Sequence, residues 1–217
     1  MSLNKIIKDD VAKMKLYFPK LQLQNSDGRP PSFAGHLDIC DAKGDWHGSF
    51  DVILISPGTY PYGVPCLFET GGLIERIADR HINGDGSCCV GIDHKLLYLA
   101  SRGLTMNAYM QEFGYPYFAN QLYFKQTGHY AAGEYSHGFA GVLQFYRESL
   151  DITNAAHAAA LLVGLLEGNL PLRNELCFCG SNKKYKCCHL KAVEYLEAID
   201  RIRLLKDLSG FDQLGKK

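Results

Sequence analysis

"RHINGDGSCCV", residues Arg80–Val90, reads as a tight polar bend that delivers two adjacent thiols to the start of a branched, strand-forming run. Asn83, Gly84, Asp85 and Gly86 tolerate or favour positive φ, so the bend has a mechanism in backbone freedom as well as in polarity. Cys88 and Cys89 follow it and precede Val90 and Ile92. In an extended segment neighbouring side chains point to opposite faces, so only one of the two thiols can face a groove. A turn that holds a thiol at the mouth of a groove, with backbone N–H groups nearby, presents sulfur for acyl chemistry.

Before that bend lie segments that alternate or are rich in β-formers: Leu21–Gln24, Phe33–Cys40, Ser49–Ile55 and Cys66–Glu69. Turn chemistry separates them, in "NSDGRPP" (Asn25–Pro31), "DAKGD" (Asp41–Asp45), Pro57-Gly58 and "YPYGVP" (Tyr60–Pro65). The spacing predicts an antiparallel meander. An amphipathic helix precedes it, with Leu3, Ile6, Ile7, Val11 and Met14 at helical spacing and an end near Tyr17, before Pro19.

From Leu96 the pattern turns helical and aromatic, and Gly114 and Pro116 are expected to split it into separate helices. "QTGHYAAGEYSHGFAG" (Gln126–Gly141) reads as a loop that leads into a helix from about Phe139 to Leu150. An Ala-rich helix follows, capped by Thr153 or Asn154 and ended by Gly168, Asn169 and Pro171. A last helix from Leu190 is expected to bury Val193, Leu196, Ile199, Ile202 and Leu205 on one side.

With 23 Lys+Arg against 23 Asp+Glu in 217 residues, there is no global field to attract nucleic acid or an anionic membrane. The most apolar run, Ala155–Leu166, falls short of the ~20 residues a membrane span needs and reads as a buried helix. The N-terminus mixes charge into its apolar positions, without a signal-peptide core. Six of the eight cysteines sit as near-neighbours, too close to staple distant loops, which favours reduced thiols, metal ligation and a cytoplasmic setting.

Cys177-Phe178-Cys179 and Cys188-His189 supply three sulfurs and one imidazole around "GSNKKYK". Four soft or borderline ligands in a closed set suit a structural, tetrahedral Zn2+ with no open position, which argues against zinc-assisted hydrolysis. Lys183, Lys184 and Lys186 would offset the thiolate charge, and coordination would carry most of the folding energy of so small a segment. "CFCGSNKKYKCCH" resembles the C-terminal zinc motif of the SecA translocation ATPase, a module that mediates contacts. The resemblance implies Cys177, Cys179, Cys188 and His189 as ligands and puts Cys187 on a non-ligand position.

"YPYGVP…RHINGDGSCCV" as a whole resembles the ubiquitin-conjugating enzymes. Tyr60, Pro61 and Pro65 match that family's Tyr-Pro…Pro segment. His81 and Asn83 match its His-Pro-Asn, and Gly86, Cys89 and Val90 match its Gly-x-x-Cys-aliphatic signature. The longer segment between Glu69 and His81 and the zinc-type tail are similar to the bacterial members encoded in antiphage signalling operons. Those proteins couple the C-terminus of a cyclic-oligonucleotide synthase, a nucleotidyltransferase, to targets through a thioester.

The resemblance implies an α+β fold, a ubiquitin-conjugating-like meander flanked by helices over residues 1–170, with the zinc motif and a C-terminal helix over 171–217. It implies that Cys89 carries a modifier's carbonyl and passes it to an acceptor lysine, that Asn83 stabilises the oxyanion, and that His81 braces the loop by hydrogen bonding. Two positions depart from the pattern. Ile82 stands where the family has proline, which would loosen the loop, and Cys88 fills its apolar position before the nucleophile. A bond between the vicinal Cys88 and Cys89 would be strained.

Asp93 and His94 are auxiliary candidates for orienting or deprotonating an incoming amine, although a solvated turn is the blander expectation. His129 and His137 are expected in a solvated loop, and His157 as a satisfied core histidine. No G-x-x-x-x-G-K-[ST] phosphate loop is present, so the chain would receive an activated acyl group and not make one. The implied partners are a modifier or nucleotidyltransferase C-terminus and an acceptor protein. The aromatic helices could also support a homodimer. A second expectation, of another class, is an inert conjugating-enzyme-like scaffold that docks through its tail and aromatic surface.

Overall fold

The computed structural model of the chain describes residues 2–25, 29–131, 136 and 138–214. They fall into two compact units, Met1–Gly91 with Arg102–Glu134, and Ile92–Ser101 with Tyr135–Lys217. The units do not follow the expected division into 1–170 and 171–217. The reason is long-range: the segment after the thiols and the helices before the zinc-type motif share a core with the C-terminal helices, as described below.

In the first unit, α1 (Leu3–Tyr17) turns Ile6, Ile7, Val11 and Met14 towards the core, while Leu3 at its N-terminal end is exposed. Four strands follow: β1 (Leu21–Leu23), β2 (Ser32–Cys40), β3 (Trp46–Ile55) and β4 (Cys66–Glu69). They pair in chain order as an antiparallel meander, with Phe33 opposite Leu54 and Leu54 opposite Leu67. Alternation sends Phe33, Leu37, Ile39, Phe50, Val52, Leu54 and Leu67 to the buried face.

That face is covered by α3 (Met106–Tyr109), a π turn over Met110–Gly114, and α4 (Tyr115–Thr127), with Phe118 against Phe50 at 4.6 Å between ring centroids. Gly114 and Pro116 therefore do not split the helix. The wider π turn accommodates the proline ring, which would clash with the carbonyl four residues back in a regular α-helix. Gly114 lets the turn close on the sheet: a Cβ there would lie 2.7 Å from Met110 Sδ and 3.1 Å from Leu67 Cδ2.

Asp10 on α1 is 2% exposed and holds three segments together. Its carboxylate accepts the Tyr60 hydroxyl at 2.6 Å and the N–H groups of Met106 and Asn107, at the start of α3, at 2.8 and 3.0 Å. Three donors to one carboxylate offset the cost of burying it.

The second unit is helical: α2 (Asp93–Ser101), α5 (Phe139–Leu150), α6 (Ala155–Glu167), α7 (Leu190–Leu196) and α8 (Arg201–Leu214). Asn154 caps α6 by accepting from the N–H of Ala156 at 2.8 Å, and Gly168 ends it in the left-handed conformation. The single last helix expected from Leu190 is two helices. Asp200 caps the second through the Arg203 N–H at 2.9 Å, a local alternative to continued helix. The break rotates the apolar face, so Leu204, Asp207 and Phe211 are buried while Ile202 and Leu205 are exposed. Val142, Phe145, Tyr146, Leu161, Leu162, Val193, Leu196 and Leu204 form this unit's core, and Cys177 and Tyr185 of the Cys/His segment join it.

Candidate thiol site and metal centre

The Arg80–Val90 stretch extends the meander. Ser87 lies opposite Phe68 of β4, with Cys88 N–H donating to Leu67 O at 2.8 Å and Glu69 N–H to Gly86 O at 2.9 Å. On its other side the same run pairs with the segment that leads into the turn. Ile82 lies opposite Cys88, and Cys89 N–H donates to His81 O at 2.8 Å. The reversal is closed by Asn83 N–H to Ser87 O and Gly86 N–H to Asn83 O, each at 2.9 Å. Gly86 sits at φ 88°, and a Cβ there would lie 2.7 Å from Glu69 O, so both conformation and packing require glycine.

α4 anchors the entry to the hairpin. Tyr117 Oη donates towards the carbonyls of Arg80 and His81 at 3.2 and 3.1 Å, and Gln121 Nε2 to Arg80 O at 2.9 Å. The Arg80 guanidinium lies 4.1 Å over the Phe124 ring. His81 takes a left-handed conformation, its backbone carbonyl accepts from the Cys89 N–H and Tyr117 Oη, and its ring lies 5.6 Å from that of Tyr130. Ile82, expected to loosen the loop, is 3% exposed and bridges Cys88 across the hairpin. A buried branched side chain fixes the segment here by packing.

The two thiols differ sharply. Cys89 is exposed, and Asn83 Nδ2 lies 3.7 Å from its sulfur. The same amide donates to Ser87 Oγ at 2.8 Å, and Ser87 Oγ donates to Asp85 Oδ1 at 2.7 Å. Two donors on Ser87, its hydroxyl and its backbone N–H, hold the Asp85 carboxyl below the usual range, so it stays ionised. Cys88 is half-buried, and that burial pushes its thiol up to about 12, so it is protonated at neutral pH. The arrangement presents one accessible sulfur beside an oriented amide donor.

The auxiliary candidates belong to the second unit. Asp93 pairs with Arg203 at 2.8 Å. His94, expected on a solvated turn, is fully buried: Nε2 meets Asp207 Oδ2 at 2.5 Å and the ring stacks on Phe145 at 4.5 Å. Tyr146 Oη donates to the same Asp207 oxygen at 3.0 Å, and Arg203 approaches the other at 3.2 Å. This network gives Asp207 enough partners to stay buried, and the spacing of α2 carries no signal of it. His129 is exposed against Tyr123, His157 is half-buried and not a core residue, and His137 lies outside the described residues.

The Cys/His segment is a small knuckle. Leu176 pairs with Lys184, Cys177 N–H donates to Lys183 O at 2.9 Å, and a 3-10 turn over Tyr185–Cys187 brings Cys188 and His189 back to the first two sulfurs. The ligand atoms of Cys177, Cys179, Cys188 and His189 all lie within 4.8 Å of one another. His189 Nδ1 is 3.3 Å from the sulfurs of both Cys177 and Cys188, and the Cys179 and Cys188 sulfurs are 3.6 Å apart. Tetrahedral zinc with usual bond lengths would space sulfurs by about 3.8 Å and sulfur from nitrogen by about 3.6 Å, so the donor set fits such an ion. Cys187 is exposed and stands outside the cluster.

Residues 173–191 match the SEC-C motif. That motif is of a zinc-binding type, and its span encloses the four clustered side chains. No curated protein and no solved structure matches the chain. Among the described residues no single helix is long and apolar enough to cross a membrane.

Proposed function

We propose that the first unit is a ubiquitin-conjugating-like domain that carries an acyl group on Cys89. The observation that supports this reading is the contrast within one dipeptide: an exposed Cys89 sulfur 3.7 Å from the Asn83 amide, beside a Cys88 that burial keeps protonated. In the first step the Cys89 thiolate attacks the activated C-terminal carbonyl of a partner protein and expels its leaving group, which forms a thioester. In the second step an acceptor amine attacks that carbonyl. The oxyanion accepts a hydrogen bond from Asn83 Nδ2, the C–S bond breaks, and the amine proton passes to solvent. An oriented donor of this kind is worth roughly 10²–10³-fold in rate.

By its resemblance to the bacterial antiphage proteins, the carried chain is a nucleotidyltransferase C-terminus or another modifier, and the setting is the cytoplasm. Zn2+ held by Cys177, Cys179, Cys188 and His189 would be structural, because four protein ligands fill a tetrahedral shell.

The trap is a Cys89→Lys chain expressed in its own host. It should accumulate an adduct that survives boiling in reductant, with an isopeptide bond mapped to position 89. An adduct on Cys88→Lys but not on Cys89→Lys would move the nucleophile by one residue. Adducts on neither would favour the inert docking fold, the reading that the missing proline at Ile82 motivates.

A further inference from the structure

We propose that Cys66 is a resolving thiol for Cys89, so that the two form a reversible cross-strand disulfide that withdraws the carrier sulfur under oxidising conditions. Its consequence for transfer rests on reading Cys89 as the acyl carrier; the disulfide itself does not.

The register of the neighbouring Phe68/Ser87 bridge, carried towards the strand end, brings the two residues together. Phe68 opposes Ser87, and the bonds Cys88 N–H to Leu67 O and Glu69 N–H to Gly86 O flank that pair. Leu67 therefore opposes Cys88, and continuing the register one step past this last bond would set Cys66 opposite Cys89. In an antiparallel ladder, hydrogen-bonded and non-hydrogen-bonded pairs alternate. The Leu67/Cys88 pair carries the bond, so Cys66/Cys89 is a non-hydrogen-bonded position. Such pairs have Cα atoms about 4.5 Å apart, within the roughly 4.4–6.8 Å that a disulfide spans.

Side-chain direction agrees. Leu67 is buried and Cys88 half-buried, and the alternate positions Cys66 and Cys89 are both exposed. Burial raises the Tyr109 hydroxyl, and thiolates at Cys88, Cys66 and Cys89 would each raise it further, so all three sulfurs lie within electrostatic reach of one ring. The vicinal alternative, Cys88 with Cys89, would join side chains on opposite faces.

The oxidant is a hydroperoxide. The Cys89 thiolate attacks the peroxide oxygen, giving a sulfenic acid and, with hydrogen peroxide, hydroxide; the Cys66 thiol then displaces water to form the S–S bond. Two electrons pass from the two thiols to the peroxide. Thiol–disulfide exchange with a small dithiol returns both sulfurs to the reduced state.

The test uses the full zinc-loaded chain, treated with hydrogen peroxide, alkylated and mapped by peptide mass spectrometry. The expected product is a Cys66–Cys89 linked peptide pair that disappears after a dithiol wash. In Cys66→Ser, an exposed substitution, the same dose should instead drive Cys89 to sulfinic or sulfonic acid that the wash does not reverse. The proposal is overturned if oxidised Cys89 is linked to Cys88 or to no cysteine while Cys66 remains alkylatable. Acyl-adduct formation by the reduced wild-type chain is read separately. A disulfide without adducts leaves the redox pair standing and removes the carrier reading, and adducts without the disulfide do the reverse.

Discussion

Cys88 and Cys89 are adjacent in sequence and unlike in chemistry, and the difference comes from one step of strand alternation. Cys88 is turned inwards, and burial raises its thiol from an ordinary 9.0 to about 12. The sign follows from which form the fold favours. The neutral thiol is preferred in the folded chain, so this contribution to stability is complete below about pH 9 and is lost as pH rises towards 12. Iodoacetamide should therefore modify Cys89 in the native chain near pH 8 while Cys88 reacts only as the pH approaches 12 or the chain unfolds, as followed by peptide mapping. Cys89 alkylated no faster than free cysteine would favour the inert scaffold, and Cys88 reacting first would contradict the assignment of the two faces. The turn that makes this possible was readable in sequence, because Asn, Gly and Asp at Asn83–Gly86 have local reasons to bend. The part played by Ile82 was not. Its effect depends on burial and on a partner across the hairpin, neither of which local spacing records.

At the scale of elements, the meander was legible because each strand is bounded by turn chemistry and alternates in hydrophobicity; the four observed strands lie close to the expected ones. Elements that depend on buried polar groups were not legible. Asp10 on α1, and His94 on α2 with Asp207 on α8, are buried polar groups, and only their long-range partners explain them. The Cys/His knuckle was legible for the opposite reason, since metal chemistry prints its requirement directly as ligand types and spacing. Its four donors converge on one point, so metal removal should act there first. Chelation with excess EDTA or a tighter zinc chelator should raise amide exchange across 173–191 by at least tenfold, with little change in β2 and β3. Unchanged exchange in 173–191, with no metal released, would contradict a structural ion.

For the whole molecule, the division into two units was the least legible property. A boundary near 170 follows from placing the zinc-type motif on a tail, whereas the units interleave: the chain leaves the first at Gly91, returns at Arg102 and leaves again at Glu134. The cause is that α2 buries His94 and stacks Tyr98 on Tyr195 at 4.0 Å, contacts with residues about a hundred positions away. Such pairings follow from the packing of the second unit's core and leave no periodic trace.

The proposed carrier of a partner's chain end is Cys89. The most direct measurement is the intact mass of the wild-type chain isolated from its own host under acidic, non-reducing conditions. The expected result is a protein adduct that a small thiol at neutral pH releases, that persists in Cys88→Ala and that is absent from Cys89→Ala. An unmodified wild-type mass, or an adduct indifferent to the loss of Cys89, would contradict it.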